Sequence, residues 1–175
     1  MTSDIPTSMK AWIVQDKGFA DLQPTETPKV DPTGILVKVH NVALNPTDWK
    51  HLDFFGAKGS TLGSDFVGTV IEKGKNCQDD IAVGERVAGW VHGSIRVGTG
   101  AFAEYLTTHP DAVIKVPENV SNELAAGLGI PGFTAYMGLY QSKHLGLEPP
   151  SPNLSSLPPV NSSKKLLVWS GATSV

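Results

Sequence analysis

The chain has 175 residues, 40% of them hydrophobic and 18% charged, with a formal net charge of −3. This suffices for one domain or slightly more with a core of its own, and it lacks the basic surplus of a nucleic-acid-binding protein. No run approaches the roughly 18 apolar residues of a membrane span, the opening MTSDIPTSMK lacks the basic and apolar regions of a signal peptide, and the lone Cys77 cannot close an internal disulfide, which points to a reducing, cytoplasmic setting.

In chain order, MKAWIVQ (9–15) reads as a strand, and PTETPKVDPTG (24–34), with three prolines, as loop. ILVKVHNVAL (35–44) is the strongest strand pattern, with Ile35, Val37 and Val39 on one face and Lys38 and His40 on the other. NPTDWK (45–50) follows. Asn45 suits an N-cap, Pro46 the first helical position, and Asp48 the third, close to a capping box. A short helix is therefore expected where the long strand ends. Further strands are expected in FVGTVIEKG (66–74), VGERVAGW (83–90), AFAEYLTT (101–108) and AVIKVP (112–117), with a glycine-rich loop at 92–100. Residues 9–117 thus read as a mostly antiparallel, irregular barrel.

At Ser121 the pattern turns helical, with Ser121 as cap and Glu123 in the first turn. Pro131 and Gly132 divide this stretch, so a second helix is expected from about Phe133 to Lys143. Residues 147–163 form a Pro/Ser linker, and KLLVW (165–169) reads as a final strand.

Few arrangements suit chemistry. The five histidines are scattered and there is one cysteine, so no metal site is expected. No G-x-S-x-G elbow is present. Asn45 to Lys50 reads either as a structural cap or as a site for anionic groups at a helix start. GSDFVG (63–68) reads as a tight loop carrying Asp65, and GIPGFTAY (129–136) sets Gly132 and Thr134 at a helix start. SGATSV (170–175) has one glycine where a dinucleotide fingerprint wants three.

Six stretches in register, ALNPTDWK, LGSDFVGTVIEKG, VGERVAGW, GAFAEYLTT, LAAGLGIPGFTAYMGL and LLVWSGATSV, resemble the medium-chain dehydrogenase/reductase superfamily. The wording is most similar to its zinc-independent branch, and within it to fungal stand-alone enoyl reductases that work with polyketide synthases. Zinc-binding members carry a cysteine at the position of Asn45, a His-Glu pair at Ser64-Asp65 and another cysteine near Ile130; those ligands are absent here. The resemblance implies a mostly β fold with α: a GroES-like barrel over 1–120, helices entering a cofactor domain over 121–146, the linker over 147–163, and over 164–175 the first strand and turn of a Rossmann-type domain that is not completed. A lone first strand does not make a nucleotide fold, so the chain alone is expected to be inactive.

By the same resemblance, NADPH is the cofactor. Pro46, Thr47, Asp48 and Trp49 would border it, and Ala172, Thr173, Ser174 and Val175 would meet its phosphates. Lys50 and Thr134 would be the catalytic donors. Gly132, Phe133, Thr134, Ala135, Tyr136, Met137, Gly138 and Leu139 would line the substrate, a small-molecule or carrier-bound enoyl thioester, with a polyketide synthase as partner. Related reductases have a tyrosine some ten residues after the Asn-Pro; LDFFGAKG has none, so no proton donor is assigned and water, Lys50 and Tyr136 stay open as alternatives. Two other readings stand beside this one: a quinone or simple enone reductase, and a non-catalytic partner-binding module.

Overall fold

The computed structural model describes residues 5–77, 80–150 and 164–168. It divides into two units, Met1–Ile130 and Pro131–Val175.

In the first unit, β1 (Ser8–Asp16) pairs antiparallel with β2 (Phe19–Glu26). β1 turns Met9, Ala11 and Ile13 inward, whereas no residue of β2 is buried. The loop expected from Pro24 therefore begins later, because Pro24 to Glu26 complete β2. β2 pairs with β1 alone, and an edge strand tolerates proline.

The larger sheet has the order β6-β3-β4-β5-β7 and is antiparallel throughout. Its strands are β3 (Ile35–Ala43), β4 (Asp65–Lys73), β5 (Arg86–Trp90), β6 (Tyr105–Thr108) and β7 (Val113–Lys115). Ile35, Val37, Phe66, Val70, Val87 and Leu106 fill the core between its faces and the loops. As expected, Lys38 and His40 of β3 point outward, and two register shifts, at Leu36/Val37 and Val39/Asn41, bend the strand. The hairpin joins the rest through isolated bridges, Ala11 to Ala103 and Ile13 to Thr61, so the sheets form an open barrel rather than a closed ring. β6 is shorter than the sequence suggests. Ala101 and Phe102 give their N–H groups to Gly63 and Leu62, outside any ladder.

α2 (Asn122–Ala126) is capped by Ser121, whose hydroxyl oxygen accepts the Leu124 N–H. Its small residues Ala125 and Ala126 allow close packing on Val67 and Ala88. The Arg86 guanidinium holds the approach to α2, donating to Asn122 Oδ1 and to the carbonyls of Pro117 and Val120 at 2.7–2.8 Å.

α3 (Ile130–Tyr140) starts three residues before the expected Phe133 and stops short of Lys143. Pro131 opens this helix instead of interrupting it, because the first turn needs no N–H there. None of its residues is buried. Residues 164–168 have no strand pairing and are exposed; Trp169 and SGATSV lie outside the described residues. Among the described residues no helix is long and apolar enough to cross a membrane.

Candidate functional site

The site begins where β3 ends. Asn45 has an extended backbone, and α1 (Pro46–Lys50) starts behind it with proline in its first turn. Asp48 turns inward: its Oδ2 accepts the Asn45 N–H at 2.7 Å, and its Oδ1 accepts the Ser64 hydroxyl at 2.7 Å. The Asn45 amide donates to Asp65 Oδ2 at 2.8 Å, and Asp65 Oδ1 accepts the Ile130 N–H at 2.8 Å. All four polar side chains are buried, Asp65 completely. Burial raises the Asp65 carboxyl above its ordinary range; the bonds from Ile130 and Asn45 lower it, and the nearby Asp48 charge raises it again. Asn45, Ser64, Asp65 and Ile130, scattered over 86 positions of the sequence, thus meet in one hydrogen-bonded group.

The outer side of α1 is open. Pro46, Trp49 and Lys50 are exposed and Thr47 half-buried. The Lys50 ammonium lies 5.6 Å from the centre of the Trp49 ring, within cation–π range. Of the residues expected to border a cofactor, Pro46, Thr47 and Trp49 have surface to offer, while both Asp48 oxygens serve the interior.

A π-helical turn, His51–Phe55, continues α1. It sets His51 Nε2 3.1 Å from the Thr47 hydroxyl, and Nδ1 3.3 Å from the Gly93 carbonyl. A carbonyl only accepts, so Nδ1 carries the hydrogen of this contact. Sequence reasoning missed this hydroxyl–imidazole pair; its signal was the four-residue spacing on one helical face. Phe54 and Phe55 stand out from the same turn, 62% and 67% exposed.

In the second unit, Gly132, Phe133, Thr134, Ala135, Tyr136, Met137, Gly138 and Leu139 all lie on α3. Thr134, Tyr136 and Met137 are exposed, and the Tyr136 and Tyr140 rings are 4.9 Å apart. Ala172, Thr173, Ser174 and Val175 lie outside the described residues. Among the described residues no three His, Cys, Asp or Glu side chains gather as a metal site.

Residues 31–118 match the family described as the alcohol dehydrogenase GroES-like domain. The chain is 38% identical over 161 residues to the trans-enoyl reductase caaB of Aspergillus niger, covering 89% of this chain and 44% of that protein. It is 47% identical over 122 residues to the trans-enoyl reductase resD of Aspergillus sclerotiorum, covering 68% of this chain and 33% of that protein. Among solved structures, the quinone oxidoreductase of Coxiella burnetii superposes with a TM-score of 0.68 at 32% identity, over 78% of this chain and 45% of that one. A mycobacterial protein solved in complex with NADPH superposes with a TM-score of 0.65 at 26% identity, over 78% of this chain and 42% of that one. The chain therefore spans less than half the length of these relatives.

Proposed function

The chain belongs to the medium-chain dehydrogenase/reductase superfamily through its alcohol dehydrogenase GroES-like domain, and from that premise we propose that the protein carrying it uses NADPH to reduce the α,β-double bond of an enoyl thioester. The trans-enoyl reductases it is similar to support the reaction class. The observation that carries the reading is the outer side of α1, where an indole and an ammonium stand exposed at the end of a central strand.

Those groups fit a nicotinamide cofactor: the Trp49 ring offers a flat apolar face, and Lys50 a charge for an anionic ligand. Pro46, Thr47 and Trp49 would hold it. When bound, NADPH supplies the hydride that goes to the β-carbon. The chain's own part is electrostatic: Lys50 donates to the thioester oxygen, where negative charge develops. The α-carbon then takes a proton from solvent water. The substrate is small or carrier-bound, and a polyketide synthase is the partner that would supply it.

The test follows NADPH absorbance with the protein carrying this chain, comparing a 2-enoyl N-acetylcysteamine thioester with a benzoquinone. The thioester should be preferred at least tenfold in kcat/KM. The likeness to a quinone oxidoreductase favours the second reading, and a preference for the quinone would establish it instead. Turnover of neither substrate would end both and leave the non-catalytic module.

A further inference from the structure

Asp65 takes no part in the chemistry above, yet it is wholly buried. A carboxylate in that position is costly unless its oxygens are bonded. Here each oxygen serves a different element: Oδ2 the Asn45 amide at the start of α1, Oδ1 the backbone N–H of Ile130. The circuit closes on itself, since Asn45 also bonds Asp48, Asp48 bonds Ser64, and Ser64 is the peptide neighbour of Asp65. Space on the Ile130 side is filled as well. A methyl group at Gly129 would strike Asp65 Oδ1 and the Gly89 carbonyl, so the carboxylate as placed requires glycine there.

We propose that Asp65 is a positioning residue that couples the N-terminus of α1 to the point at Ile130 where the chain leaves the first unit, so that a displacement at either end is felt at the other. The consequence deepens the reductase reading, because α1 carries Trp49 and Lys50, but the coupling itself stands or falls without any turnover.

Coupling of this kind is reciprocal, so the test perturbs each end and reads the other by NMR on the full chain. Gly129→Ala pushes on Asp65 from the Ile130 side. Resonances of Asn45 to Lys50 should shift. Asn45→Ala removes the bond at the α1 end. The Ile130 amide should then exchange with solvent about tenfold faster or more, as expected where one hydrogen bond holds a local closure. Amides of Leu36 and Val70 in the core serve as the control and should follow only the change in global stability. If each variant registers at its own end alone, or if Ile130 exchange merely tracks the core amides, the coupling is absent and the proposal is overturned. Should Gly129→Ala not fold, Asn45→Ala decides the matter by the same criterion at Ile130.

Discussion

Ser64 donates its hydroxyl to Asp48 Oδ1 across 2.7 Å, and both side chains are withdrawn from solvent. The bond joins α1 to the first turn before β4, two elements that nothing in their separate sequences connects. Removing it with Ser64→Ala leaves a buried carboxylate oxygen without its donor. Hydrogen bonds to charged groups contribute about 1.5–3 kcal/mol, and urea denaturation should show a loss of that size with an unchanged slope. A loss below about 0.5 kcal/mol, the level of an ordinary surface change, would mean that water replaces the hydroxyl.

Arg86 offers a second stability test. Its guanidinium makes three bonds to the segment leading into α2, and a lysine ammonium cannot reproduce the forked geometry. Arg86→Met keeps the alkyl stem and removes the donors. It should lower stability by roughly 1–3 kcal/mol, with Arg86→Lys in between. Equal stability of all three proteins in chemical denaturation would show that solvent satisfies those carbonyls.

Lys50 is exposed and rests on Trp49, so its loss should leave folding nearly untouched, within about 0.5 kcal/mol. If it stabilises charge on the thioester oxygen, Lys50→Met should lower kcat/KM by about 10²-fold. Steady-state kinetics beside a melting curve separate the two effects. A drop in activity matched by an equal drop in melting temperature would assign Lys50 to structure.

The buried carboxyl of Asp65 also sets a pH dependence. Burial raises its pKa in the folded chain above the unfolded value of about 3.9. The folded chain therefore keeps the proton longer. The stabilisation this gives is complete below the unfolded pKa and is lost as pH rises through the folded one. Asp65→Asn cannot titrate. The stability difference, wild type minus Asp65→Asn, measured by urea midpoints from pH 4 upward, should fall with pH and then level. A difference that rises with pH would show that the bonds from Ile130 and Asn45 outweigh burial.

Residues whose neighbours lie next to them in sequence were legible, and those defined by distant partners were not. Asn45-Pro46 announced α1 because a cap and a proline act within one turn. Ile35, Val37 and Val39 announced β3 because their alternation with Lys38 and His40 is local, although Leu36 between them is buried too. β2 hid because FADLQPTE buries nothing, so no alternation marks it. Asp65 read as part of a tight loop, since its decisive partner, the Ile130 N–H, is a backbone group with no side-chain signature. The π-helical turn at His51–Phe55 was equally silent: Thr47 and His51 share an ordinary helical spacing, and nothing in LDFF signals a wider turn.

β3 lies inside the five-stranded sheet, paired on both sides, and α1 follows its end with the capping residue Asn45 tied to Asp48 and Asp65. The segment is clamped at its root by those bonds and again farther on, where the His51 ring meets the Gly93 carbonyl and the Leu52 carbonyl accepts the Gly18 N–H. An incoming molecule therefore meets a rim fixed in advance, with Phe54 and Phe55 lifted into solvent at its far end and the strand beneath as an abutment.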